Sequence, residues 1–136
     1  MKHIVFLLAA SLTAFGALAR DLAPVVDYDN VAVVTGTGKP ASAQAVGVAI
    51  SNAAASGKRI WNLQRTAPDK MRATYHVRQH TIVVDIGYSA KAYSIRYAGS
   101  DNMKYSDANG KKTIHPFYNT WVDEFKSGIS AELSKL

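Results

Sequence analysis

The sequence contains no cysteine, and this absence excludes several classes of protein. Disulfide-stabilised scaffolds, cysteine-ligated zinc sites and cysteine nucleophiles all require the thiol. A bacterial lipoprotein also needs cysteine as its first mature residue, whereas Arg20 occupies that position here. The fold must therefore be stabilised by its packed core, and we expect no acylated membrane anchor.

Long apolar runs are also missing after the first twenty residues. The chain begins with the cationic pair Lys2-His3, continues with an apolar run over residues 4–12, and reaches small residues at 17–19. This order is typical of a secretory signal peptide, and the run is shorter than the roughly 20 residues of a membrane helix. The sequence predicts a cleaved signal over residues 1–19, no membrane span, and a soluble protein that is periplasmic or secreted.

The remaining residues, 20–136, are long enough for one domain and relatively poor in acidic side chains. They hold 15 Lys and Arg against 10 Asp and Glu, a formal charge of +5. A basic protein favours acidic partners, either an acidic protein segment or an anionic small molecule. Nucleic acid is not expected, because the predicted compartment lacks it and no aromatic residues alternate with the arginines.

The first half of this region predicts one strand and one helix. An irregular lead-in over residues 20–30 precedes a β-type run at 31–34, and turn formers follow at 35–40. Ser42 is a good helix N-cap, and Gly57 is a C-terminal stop. Between them, apolar residues recur at three- and four-residue spacing, which predicts a narrow, alanine-rich helix.

The centre of the chain predicts four strands joined by short loops. Apolar and polar residues alternate in each of them, as on a sheet with one buried face. Short connections favour antiparallel hairpins and a meander. The predicted strands cover residues 60–66, 71–77, 80–88 and 93–97, with a tight reversal near Arg78 and Gln79.

A polar loop over residues 99–113 and a second helix complete the predicted domain. The helix begins near His115-Pro116, because proline suits the first helical turn, and an apolar stripe follows at helical spacing. The order β-α-β-β-β-β-α predicts an α+β two-layer sandwich: an antiparallel four- to five-stranded sheet with two helices on one face. The predicted core is aromatic: Trp61, Tyr75, Tyr88, Tyr93, Tyr97, Trp121 and Phe125.

An ordered set of residues runs through most of the region after the signal. The set comprises residues 43–55, Trp61, residues 78–88 and 93–97, Ser100, Asn102, Met103, Tyr105, Ile114-His115, Tyr118-Asn119 and Trp121-Val122. It resembles a family of short, uncharacterised proteobacterial periplasmic proteins and lipoproteins, which implies an α/β domain located in the envelope, with no implied activity. This chain departs from the lipoprotein members because it lacks the acylated cysteine.

Three loops or clusters hint at chemistry, and each has a simpler interpretation. The segment at 36–39, Gly-Thr-Gly-Lys, lacks the spacing of a P-loop and is interpreted as a turn. Asn109-Gly110 lacks the acidic ligands of a calcium loop and favours a type I′ or related turn. His76, His80, Asp85 and His115 are types that bind zinc or transfer protons, but no metal-ligand spacing connects them. We therefore predict no metal and no cofactor, with His115 capping the last helix.

The most informative feature is the polar side of the predicted sheet. If both helices cover one face, the other is polar and cationic, and its arginines can bind an anionic group through paired hydrogen bonds. The main hypothesis is a non-catalytic binding or interaction domain, with Arg72, His76, Asp85 and Arg96 as candidate binding residues. The alternatives are a small metal-dependent or hydrolytic enzyme using His76, Asp85 and His115, and a self-associating structural protein. The predicted polar face comprises Asn62, Gln64, Arg72, Thr74, His76, Asp85, Ser94 and Arg96.

Overall fold

The computed structural model describes residues 21–136, which form seven strands and two α-helices. The predicted signal peptide lies outside the described residues. The strands are β1 (Ala23–Pro24), β2 (Tyr28–Ala32), β3 (Asn62–Ala67), β4 (Lys70–Val77), β5 (His80–Tyr88), β6 (Ala92–Asp101) and β7 (Thr113–Ile114). The helices are α1 (Ala43–Ser56) and α2 (Phe117–Leu133), and a short 3-10 turn covers Ala108–Gly110.

Five strands form one antiparallel sheet in the order β2-β6-β5-β4-β3. The four predicted central strands are therefore confirmed as a meander from β3 to β6. Strand β2 lies at the opposite edge from β3, so α1 connects the two edges of the sheet. The β4–β5 hairpin has the predicted two-residue reversal, because Val77 pairs with His80 across Arg78 and Gln79.

Both helices pack on one face of this sheet, which confirms the two-layer α+β sandwich. Ser42 caps α1 by accepting a hydrogen bond from the Ala45 amide at 3.0 Å, and Gly57 follows its last turn. Each helix buries one apolar stripe against the sheet, while alternate residues of β4 and β5 are buried beneath them. Within residues 21–136, neither helix is both long and apolar enough to cross a bilayer.

The core is aromatic where the helices meet the sheet and aliphatic along β5. Trp61 stacks on Phe125 with ring centroids 4.8 Å apart, and Tyr75 meets the edge of Trp121 at 5.3 Å. Six of the seven predicted core aromatics are buried. Tyr97 is only partly buried, because it lies next to the bulge in β6 and stacks on the partly buried Tyr105.

Two segments predicted to be irregular contain paired strands. Strand β1 pairs with β7, so both the lead-in and the end of the polar loop have regular partners. The Asn119 side chain holds the lead-in to α2, accepting from the Val26 amide at 3.1 Å and donating to the Pro24 carbonyl at 2.8 Å. The prediction of an irregular segment over residues 20–30 is thus wrong at Ala23–Pro24 and from Tyr28, where the chain pairs with distant strands, whereas residues 25–27 belong to no strand.

Candidate functional site

The sheet face opposite the helices carries all eight polar residues predicted for it, and we call it the open face. Met71, Ala73 and Tyr75 of β4 are buried beneath the helices, so Arg72, Thr74 and His76 project the other way. Pairing between strands places the remaining members on the same side. The sequence prediction of this face is therefore confirmed by the alternation of burial.

Four charged side chains form a row across the open face, one from each of four adjacent strands. Arg72, Asp85 and Arg96 occupy directly paired positions on β4, β5 and β6. Asp29 on β2 adds the fourth, and we call Arg72, Asp85, Arg96 and Asp29 the charge row. Positive and negative charges alternate along it. Three of its members were predictable from the alternation, whereas Asp29 was missed because β2 reaches β6 only in the tertiary fold.

Each arginine of the charge row is held by a carboxylate. Arg72 binds Asp85 through two hydrogen bonds, Nε to Oδ1 at 2.8 Å and Nη2 to Oδ2 at 3.1 Å. Arg96 Nε donates to Asp29 Oδ1 at 2.7 Å. The hydrogen bonds and the charge of Asp85 raise the pKa of the Arg72 guanidinium above its ordinary value. Such exposed pairs add little stability, so their main effect is to orient the guanidinium groups.

His76 lies on the open face but apart from the charge row. It is four residues from Arg72 along β4, a separation of about 13 Å at the rise of a β-strand. Its Nδ1 is 2.9 Å from the hydroxyl of Thr81, the residue that pairs with it on β5. Of the four predicted binding residues, the structure brings together Arg72, Asp85 and Arg96 and leaves His76 at the other end.

His115 lies at the start of α2, in the helix layer. Its Nδ1 accepts a hydrogen bond from the Phe117 amide at 3.1 Å, so His115 holds the first amide of the helix, while the N-cap residue itself is Pro116. His80 is on the helix-facing side of β5, with its ring 6.4 Å from that of Trp121. His76, Asp85 and His115 therefore do not converge. Residues 21–136 contain no group of three or more His, Asp or Glu side chains that could hold a metal ion.

A depression at one end of the open face adds Lys70 and Gly87 to the predicted polar residues Arg72, Ser94 and Arg96. Gly87 on β5 lies between Lys70 on β4 and Ser94 on β6, and its missing side chain leaves space between them. The space, which we call the Gly87 depression, is about 450 Å³ and extends to Arg72 and Arg96. A glycine inside a strand can mark a close approach of another molecule, and Gly87 in β5 was the available signal.

The two glycine-containing loops are turns, as predicted. Gly38 has a φ of 73°, and the Thr37 amide and hydroxyl both donate to the Leu136 carbonyl, so that amide is engaged within the chain. Asn109 and Gly110 have φ angles of 58° and 73°, the positive pair expected of a type I′ turn.

Comparison of the chain with known proteins identifies no relative. No protein-family model matches it, and searches of the curated proteins and of the solved structures found no significant match. The function of the protein must therefore be inferred from the geometry of the open face.

Proposed function

We propose that this protein is a non-catalytic interaction domain of the bacterial cell envelope, and that its open face docks an acidic segment of a partner protein. The charge row is the observation that carries the proposal. Its arginines are half or more exposed, at 50% for Arg72 and 60% for Arg96. Oriented, accessible guanidinium groups are suited to bidentate contacts with carboxylates.

The local charge supports an acidic occupant. Lys70, Arg72 and Arg96 supply three positive charges at this end of the face, against two from Asp85 and Asp29. These groups lie on four adjacent strands, from β4 to β2, and so cover a width of about 14 Å at the usual spacing between strands. A broad polar surface of this kind fits an extended protein segment, since small molecules are usually bound in concave sites.

The positions of the candidate acid–base residues support a non-catalytic role. A general base must lie within hydrogen-bond reach of the proton that it removes, and catalytic side chains must share one substrate. His76 and Asp85 are on the open face, whereas His115 holds the first amide of α2 in the helix layer. A hydrolase built from these three residues would need them in one cleft.

Envelope location is part of the proposal and is supported by the sequence pattern of residues 1–19. Detection of the protein in the periplasmic fraction, with an N-terminus at Arg20, is the expected result. Retention of the full chain in the cytoplasm would contradict it.

A titration with a decaglutamate peptide tests the docking proposal. We expect saturable changes in the NMR amide signals of Arg72, Asp85 and Arg96, with the helix layer unaffected. The double variant R72Q/R96Q should weaken binding at least about tenfold, because two charge-assisted contacts are lost. R78Q is the control for each single variant, R72Q or R96Q, since it also removes one arginine charge and Arg78 lies in the β4–β5 turn, away from the charge row. Absence of saturable binding, or equal loss in the control, would overturn the proposal.

Self-association through a sheet edge is the remaining alternative. Within the described residues, β3 has a strand partner on one side only. A bulge follows Arg65, whose Nη1 donates to the Pro68 carbonyl at 3.0 Å, and irregular charged edges disfavour pairing with another strand. Light scattering should therefore give the monomer mass, and a concentration-dependent dimer would favour the alternative.

A further inference from the structure

The Gly87 depression differs from the rest of the open face because it is concave. Its floor is Gly87, and Lys70 and Ser94 pair with that glycine from the strands on either side. At about 450 Å³ it falls within the range of small-molecule sites. Arg72 and Arg96 lie two residues further along the same strands, at the next position on the open face.

At the Gly87 end of the depression, Lys70 and Ser94 offer unused hydrogen-bond donors. Within the described residues, the Lys70 ammonium has no hydrogen-bond or ion-pair partner. The Ser94 Oγ accepts from the Gly87 amide at 3.3 Å, so the serine proton remains available to a ligand.

At the other end, Arg72 and Arg96 also offer donors, because each arginine keeps nitrogens that its carboxylate partner does not use. Both oxygens of Asp85 accept from Arg72, through Nε and Nη2, which leaves Nη1 of that arginine. Arg96 uses Nε for Asp29, which leaves its terminal nitrogens. A concave site with several cationic and hydroxyl donors, whose one carboxylate is paired with Arg72, favours an oxyanion.

We infer that the Gly87 depression binds the phosphate group of a small phosphate monoester. The four donor side chains stand at the corners of an area about 10 Å by 7 Å, from standard strand spacing and rise. Donors from several sides match the three terminal oxygens of a phosphate better than the two oxygens of a planar carboxylate. The remaining volume accommodates the organic part of the ester, beside Thr66 and the Gly87 floor.

This inference goes beyond docking of an acidic segment, with which it shares Arg72, Arg96 and the positive charge of Lys70. Gly87 and Ser94 are specific to the phosphate site. Variants at these two positions therefore separate the two proposals.

Amide NMR titrations at constant ionic strength with glycerol 3-phosphate, inorganic phosphate and succinate test the inference. We expect saturable shifts at Gly87 and Ser94 with glycerol 3-phosphate. Inorganic phosphate, which lacks the organic group, and succinate, which lacks the phosphate, should each bind at least about tenfold more weakly. K70Q and S94A should each weaken glycerol 3-phosphate binding several-fold. K111Q, an exposed lysine in the loop before β7, makes the same charge change as K70Q and should have no effect.

A larger side chain at Gly87 provides a second, steric test. In G87V the added Cβ would lie 3.2 Å from Ser94 Oγ, so valine both fills the depression and crowds Ser94, and the amide spectrum reports whether the sheet is intact. Loss of glycerol 3-phosphate binding with retained decaglutamate binding supports the inference. Should G87V misfold, K70Q and S94A decide the outcome. Equal binding of succinate or inorganic phosphate, or unchanged binding in both K70Q and S94A, would overturn it, whatever the decaglutamate result.

Discussion

Arg78 adopts a backbone conformation that usually selects glycine. It is the first residue of the two-residue β4–β5 turn, and its φ is 55°. In this region the Cβ of an L-residue lies close to the following carbonyl oxygen, at a cost of about 1–2 kcal/mol. Two-residue hairpin turns place glycine at such positions for this reason.

We therefore expect R78G to stabilise the protein by about 1 kcal/mol, since the relieved strain exceeds the added flexibility of the unfolded chain. Thermal unfolding should show a midpoint a few degrees higher. Q79G is the matched control, because Gln79 has no positive φ and glycine there only adds flexibility. An unchanged or lower midpoint for R78G would show that the turn is unstrained.

Asn119 is the residue that orders the segment before β2. Its side-chain amide donates to the Pro24 carbonyl and accepts from the Val26 amide, whereas an aspartate could only accept. We expect N119D to lower the free energy of unfolding by about 1–2 kcal/mol, measured by urea denaturation. N62D changes the same chemistry at an exposed open-face position and should have a smaller effect. Equal losses of unfolding free energy in N119D and N62D would mean that the two Asn119 hydrogen bonds do not stabilise this segment.

At the scale of elements, an ion pair connects the α1–β3 loop to α2. Arg59 Nε contacts Glu124 Oε2 at 2.6 Å, and Arg59 also donates to the Tyr75 hydroxyl at 3.0 Å. Burial alone would raise the pKa of the Glu124 carboxyl, but the hydrogen bonds and charges of Arg59 and Lys58 outweigh burial and hold that pKa below its ordinary value.

Because the pKa of Glu124 is lowered in the folded state, the stability that its ion pair with Arg59 contributes depends on pH. It is fully present above the ordinary carboxyl pKa of 4.5 and is lost as pH falls through the lower folded value. We expect E124Q to be less stable than the natural protein at neutral pH, by about 1 kcal/mol, and the difference to shrink in acid. Urea denaturation of both proteins across this range measures it. A difference independent of pH would assign the effect to packing alone.

The elements also show how far local pattern predicts structure. Strands β3 to β6 were predictable because each alternates over several residues and short turns connect them. Strands β1 and β7 have two residues each, too few to show a period, and they pair only because distant parts of the chain meet. Likewise, β2 begins at Tyr28 rather than Val31, because pairing with β6 extends it beyond its apolar run.

At the scale of the whole molecule, docking on the open face should depend on ionic strength. The protein carries a formal charge of +6, and the charge row is exposed to solvent. Salt screens exposed charges over about 10 Å at 0.1 M. Decaglutamate binding should therefore weaken several-fold between about 50 mM and about 300 mM NaCl, as titration calorimetry can measure. Binding that is insensitive to salt would contradict an electrostatic contact and point to apolar docking.

The sequence by itself determined the sandwich and the polar face, because side chains alternate across a strand and only one face of the sheet can be buried. It therefore identified Arg72, Asp85 and Arg96 as neighbours on one surface. Tertiary structure decided which side chains touch: Asp29 joins the charge row through β2, and His115 is held in the helix layer by the hydrogen bond that it accepts from the first amide of α2. Register between strands also decided that Lys70 and Ser94 flank Gly87. Local periodicity contains no information on such long-range pairings, which depend on the packing of the entire chain.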